Sequence, residues 1–116
     1  MKPATQIIYI FWTCKDLLEA KRIVHALLDM KQIACASILP SVQSIYRWEG
    51  KIREDSETKV ILKTQKKYFS GVCAYIQKHG SYTVPEICEV AIEQANPLYA
   101  NWIGEETWTP NLQNLL

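Results

Sequence analysis

Apolar and polar positions change their period along this chain, and each change marks an element. Ile7 to Trp12 is an unbroken apolar run rich in β-branched and aromatic residues, the pattern of a strand buried on both faces in mid-sheet. Thr13-Cys14-Lys15-Asp16 has the form of a capping box with Asp16 in the acidic place. Leu17, Ala20, Val24, Leu27 and Leu28 then recur at helical spacing, which predicts a helix over Lys15 to Met30. Two long strands follow, the first from about Ile33 to Trp48 and the second through much of Lys51 to Thr64. They are joined at Trp48-Glu49-Gly50-Lys51, where Gly50 is available for positive φ. Pro40 cannot donate to a ladder, so the first arm is expected to bend or bulge there. Phe69, Val72, Cys73 and Ile76 predict a second helix from about Lys67 to His79, stopped by Gly80. Val84 to Glu93 reads as a fourth strand, with Cys88, Val90 and Ile92 alternating against Ile87, Glu89 and Ala91. Asn96-Pro97 opens a short third helix carrying Leu98, Trp102 and Ile103 up to Gly104. Trp108, Leu112, Leu115 and Leu116 give the tail an apolar character that suits docking on the body or on a neighbour.

The order is β-α-β-β-α-β with a closing helix, which predicts an α+β, ferredoxin-like sandwich forming a single domain over residues 1–116. Both main helices then lie on one face of the sheet, and the other face is unaccounted for. Strands usually run about five or six residues. A hairpin arm well over twice that length must project, and an arm carrying Ile45, Tyr46 and Trp48 needs a partner to cover it. Three copies packing their open faces around a threefold axis would bury both surfaces, so the expected assembly is a homotrimer.

Composition narrows the function classes. Net charge is +1 with 22% charged residues, and no basic stripe interleaves with aromatics, so nucleic acid is not an expected partner. The apolar run ending at Trp12 is far too short to span a bilayer. The polar start MKPATQ and the lack of a cleavage site after that run predict a cytoplasmic protein. The four cysteines, Cys14, Cys35, Cys73 and Cys88, form no C-x-x-C motif and are expected as free thiols. Cys73 and Cys88 read as core residues, and Cys14, at a helix start, reads as the most reactive thiol. The chain carries no H-E-x-x-H motif, no Ser-His-Asp order and no phosphate-cradling glycine loop, and has only two histidines. His25 lies off the apolar stripe of the first helix and is expected in solvent. No catalytic residue and no obligatory cofactor are assigned.

Several pieces of the chain, taken in order, resemble one family. IACASILP and SIYRWEGKI resemble the second-strand signature of the CutA family of divalent-cation tolerance proteins, SETKVILKT its third strand, SYTVPEI its loop into the fourth, and QANPLYANWI its closing helix. The resemblance runs from about Ile7 to Ile103. It implies a PII-like trimer of ferredoxin-like subunits, a link to copper or another divalent cation, and no catalysed reaction. Eukaryotic members of that family are tied to membrane-enzyme anchoring.

The copper sites proposed for the family use a first-strand cysteine and a His-His pair in the loop before the fourth strand. The cysteine position falls on Trp12 here, and the pair falls on His79 and Gly80. His79 is therefore the surviving family ligand, and Cys35, in the A-C strand motif, offers a soft thiolate for Cu(I) or Hg(II). His79 also reads as an ordinary helix-end residue suited to the dipole, and Cys35 as a small filler between Ala34 and Ala36. In the family, Tyr46, Trp48, Tyr82, Pro85 and Glu86 line the cleft between neighbouring subunits. They read either as a small-ligand pocket anchored by Glu86, or as an interface seal in which Glu86 pairs with Arg47 or Lys63. Two function classes follow: a trimer responding to divalent metal through metal or small-ligand binding, and a PII-like scaffold holding a small molecule or protein at its clefts.

Overall fold

The computed structural model describes residues 6–108. The elements are β1 (Ile7–Cys14), α1 (Leu17–Asp29), β2 (Cys35–Trp48), β3 (Lys51–Gln65), a 3-10 turn (Lys66–Tyr68) running into α2 (Phe69–His79), β4 (Ile87–Ala91) and α3 (Pro97–Glu106). The sheet order is β2-β3-β1-β4, with every pair antiparallel. This is the predicted βαββαβ arrangement. No helix among the described residues is long and apolar enough to cross a membrane.

The strong period of β1 places Ile8, Ile10, Trp12 and Cys14 on one face of the sheet, beside Val60 and Leu62 of β3. Ala20, Ile23 and Leu27 of α1 and Val72 and Ile76 of α2 pack onto that face and complete the core. The other face carries Tyr9, Phe11 and Thr13 next to Lys63, Ile61 and Lys59. Among the described residues only its end is covered, where Ile103 of α3 packs with Ile7 and half-buried Tyr9 and Tyr99.

Local chemistry sets the element ends. Asp16 is the N-cap of α1, its Oδ1 accepting the Glu19 N–H at 2.9 Å, while Glu19 Oε1 accepts the Lys15 N–H at 3.3 Å. The capping box is therefore Asp16-x-x-Glu19, three residues beyond the expected Thr13–Asp16, because β1 continues to Cys14. The buried stripe of α1 is Glu19, Ala20, Ile23, Val24 and Leu27, whereas Leu17 and Leu28 are exposed. Gly80 does follow α2, but its φ is −80°. What demands glycine is space, since a Cβ would lie 2.9 Å from the Ile76 carbonyl oxygen. Asn96 caps α3 by accepting the Leu98 N–H at 2.9 Å, with Pro97 in the first turn. The helix then runs through Gly104 to Glu106, and the Thr107 hydroxyl donates to the Ile103 carbonyl at 2.8 Å. β4 is five residues rather than the ten expected, and Cys88 is exposed rather than in the core. Of the expected tail cluster, Trp108 is exposed, and Leu112, Leu115 and Leu116 lie outside the described residues.

The hairpin arms are 14 and 15 residues long. They turn at Glu49 and Gly50, both at positive φ (51° and 79°), the combination that matches the right-handed strand twist. The expected irregularity at Pro40 is a bulge. Leu39 pairs with Lys59 and Val42 with Glu57, so Pro40 and Ser41 together oppose one residue, with Ser41 at φ 60°. The outer hairpin leaves the body, and the radius of gyration is 15.5 Å. A compact domain of this size has about 13 Å.

Candidate functional site

Where the hairpin leaves the sheet, one of its faces and the loop between α2 and β4 enclose an open groove of about 610 Å³. Tyr46 and Trp48 of β2 and Arg53, Asp55 and Glu57 of β3 form one wall; Lys15, Thr13 and the Ser81–Val84 stretch form the other. Strand pairing explains the first wall. Tyr46 stands opposite Arg53, and its hydroxyl reaches diagonally to the Asp55 carboxylate. Tyr82 crosses from the loop, and its hydroxyl donates to Glu57 Oε2 at 2.6 Å.

Glu19 sets the loop's position. Its side chain is almost fully buried, and it accepts the Ser81 N–H at 2.7 Å and the Ser81 hydroxyl at 3.2 Å. Gln77 Nε2 donates to the Thr83 carbonyl at 3.0 Å, and the Thr13 N–H to the Glu86 carbonyl at 3.3 Å. The loop is thus pinned to α1, α2 and β1 before Tyr82 extends from it.

The charges lie in a row. Asp55 and Glu57 occupy the middle, with Arg53 next along β3; Cys14 pairs with Thr58, so Lys15 follows at the Glu57 end. The hydrogen bond to Asp55 raises the pKa of Tyr46 above its ordinary value. Burial, then the bond to Glu57, raises that of Tyr82 further. Both phenols therefore stay protonated at neutral pH and act as fixed donors to the carboxylates. Arg53 approaches Glu49 only at 3.9 Å in an exposed pair, a geometry that contributes little. The Lys15 side chain forms no ion pair among the described residues.

Of the five residues expected in the cleft, Tyr46, Trp48 and Tyr82 line this groove. Pro85 lies behind it with Trp12, Cys14 and Glu19, around a void with no room for water. Glu86 faces the open side of the sheet, where its Oε1 accepts from the Thr13 hydroxyl at 2.6 Å and from Lys59 Nζ at 2.9 Å. Burial alone would raise its pKa, but those two hydrogen bonds and the Lys59 charge lower it instead. Its ion-pair partner within this chain is Lys59. Lys15, Arg53, Asp55 and Glu57 were not singled out in the sequence. The signal that finds them is the hairpin register, counted back from the Glu49-Gly50 turn.

His79 and Cys35 are not brought together. His79 ends α2 on the helical side of the sheet, its ring tilted 31° against that of Tyr75 with centroids 4.2 Å apart, and its carbonyl accepts from Arg22 Nη2 at 3.2 Å. Cys35 lies across from Lys63 at the start of β2, on the opposite face from core-packed Ala36. Trp12 fills the core at the family's cysteine position. Among the described residues, no three His, Cys, Asp or Glu side chains converge as metal ligands, so one chain does not supply the copper set. Cys14 is not the most reactive thiol: burial, with the Glu19 charge adding to it, pushes its pKa up to about 12. His25 is in solvent, as expected.

Comparison with known proteins agrees with this architecture. The family model for "CutA1 divalent ion tolerance protein" matches residues 8–106. The divalent-cation tolerance protein CutA of Archaeoglobus fulgidus is 38% identical over 97 residues, covering 84% of this chain and 94% of the relative. The protein CutA homolog of Xenopus laevis is 37% identical over 93 residues, covering 80% of this chain, which spans only 62% of that relative's length. The crystal structure of CutA1 from Oryza sativa superposes with a TM-score of 0.90 at 27% identity, covering 94% of this chain and 100% of that one.

Proposed function

The chain belongs to the CutA1 divalent ion tolerance protein family, and from that premise we propose that it is a homotrimeric binding protein that acts through a small ligand held in the hairpin groove. The observation that carries this reading is the groove itself. Its aromatic and charged walls come from three separate parts of the chain, and hydrogen bonds fix both tyrosines. None of the names carried by the similar proteins denotes an enzyme.

Two apolar surfaces support the trimer. The open sheet face carries Phe11, Ile61, Leu39 and Val90, and the outer hairpin leaves Ile45 68% and Ile52 61% exposed. Surfaces of this kind call for cover, and further copies of the same chain supply it with closed symmetry. A copper or other divalent-cation site in this protein would draw its ligands from more than one chain. We assign the protein to the cytoplasm, with no nucleic-acid or membrane partner.

The test is native mass spectrometry of gently purified, untagged protein. The expected spectrum is a species of three chains carrying small-molecule adducts, up to three per trimer, that are absent from Trp48→Ala. Metal adducts that persist in Trp48→Ala would move the activity out of the groove and favour a metal-binding function.

A further inference from the structure

The charge order in the groove is selective in a way that its volume is not. Along the groove the order is Lys15, Glu57, Asp55, Arg53, that is plus, minus, minus, plus, with Lys15 on the facing wall. The formal sum is zero, so a simple cation drawn to the two carboxylates meets a positive group at each end, and a simple anion drawn to Arg53 meets Asp55 two residues away. Residues i and i+2 of a strand are about 7 Å apart, and their side chains share a face. Asp55 and Arg53 therefore present an anionic and a cationic head within reach of one small molecule.

The hydrogen bonding sharpens this pattern. Tyr46 donates to Asp55 Oδ2 and Tyr82 to Glu57 Oε2. Each tyrosine occupies one carboxylate oxygen and leaves the other, and a phenol hydroxyl neutralises no charge. Two oriented acceptors are thus left for an ammonium group, and the Arg53 guanidinium is left for a carboxylate, since among the described residues it pairs only with Glu49, at 3.9 Å and exposed. Trp48 and Tyr46 add an apolar surface beside both.

Building on the small-ligand reading above, we infer that the groove takes a small zwitterion of the α-amino-acid class, its ammonium between Asp55 and Glu57, its carboxylate on Arg53 and an apolar side chain against Trp48. Each charged contact discriminates because a ligand lacking one end leaves its partner in the groove unpaired. The lining residues are largely exposed, so such a loss is worth about two- to fivefold in affinity.

The experiment is calorimetric titration of the intact, assembled protein with three probes that differ only in charge: L-phenylalanine, phenethylamine and 3-phenylpropionate. L-phenylalanine is expected to bind about two- to fivefold tighter than either single-charge analogue. Arg53→Gln and Asp55→Asn are each expected to remove that preference while leaving the far-ultraviolet circular dichroism and the assembled mass unchanged. Equal or tighter binding of the amine, or of the acid, overturns the inference. If no probe binds but native protein carries an adduct lost in Trp48→Ala, the zwitterion assignment is wrong and the groove reading stands. If no probe binds and no such adduct exists, both fall.

Discussion

A single buried carboxylate links the helix start to the groove. Glu19 completes the α1 capping box and also holds Ser81, so one side chain serves two elements. Removing it leaves the Ser81 and Lys15 amides without their acceptor. Glu19→Ala is therefore expected to cost about 2–3 kcal/mol of stability, read as a lowered urea midpoint, and to loosen Tyr82 from Glu57. An unchanged midpoint would show the clamp to be incidental. Cys14 carries a pH signature. Its pKa rises from 9.0 in the unfolded chain to about 12 in the fold, so the unfolded state gives up its proton first as pH rises. Its contribution is whole below pH 9 and fades between pH 9 and 12. Over that range wild type should lose more stability than Cys14→Ala, and parallel curves would refute the assignment. Neither role was legible at this scale. Glu19 is a charged residue in a helix and reads as solvent-facing, and two overlapping stretches, Thr13–Asp16 and Asp16–Glu19, both fit a capping box. Only the end of β1 at Cys14 decides between them.

The elements themselves were legible because each declares its period locally. β1, α1, α2 and the long hairpin arms appear where the apolar spacing puts them. The ends are harder, because tertiary bonds choose them. α3 runs past Gly104 because Thr107 supplies the stop, and β4 begins only at Ile87 because the preceding residues are held by the loop contacts. The end of α1 offers a test. Lys31 sits at φ 57°, its N–H bonds the Leu28 carbonyl at 3.0 Å, and the Gln32 N–H bonds the Leu27 carbonyl at 3.0 Å. That is a Schellman cap with lysine where glycine is preferred. A side chain in the left-handed region costs roughly 1–2 kcal/mol, and glycine returns about 0.4–1 of that through the freer unfolded chain. Lys31→Gly should therefore raise stability by about 0.5 kcal/mol, visible as a higher melting temperature. A lower melting temperature would mean that the lysine side chain makes a compensating contact.

The whole molecule is shaped by a sheet with helices on one face and a hairpin longer than the body can cover. Its 51 Å long axis and exposed hairpin residues are the surfaces that the proposed trimer would cover. If three chains complete it, the folded monomer lacks cover for its open sheet face, and dissociation should coincide with unfolding. Analytical ultracentrifugation across a denaturant series would then find trimer and unfolded chain; a folded monomer at micromolar concentration would contradict this. The fold could be derived from the sequence because its topology follows from element order. The groove could not, since its charge row depends on how β2 and β3 are registered.

That register hangs on the bulge at Pro40 and Ser41. Before it, the odd-numbered residues of β2, Cys35, Ser37 and Leu39, share a face with Lys63, Ile61 and Lys59 of β3; after it, the even-numbered Val42, Ser44, Tyr46 and Trp48 share that same face with Glu57 to Lys51. The extra residue is a half-period phase shift. Deleting either Pro40 or Ser41 would restore a regular period and keep Tyr46 and Trp48 on the groove face, whereas pairing both one-to-one with β3 would turn Ile45 and Arg47 toward the groove instead. The groove thus depends on the two-against-one pairing at this bend as well as on its aromatic residues, and a slip to one-to-one pairing would dismantle the site with every side chain unchanged.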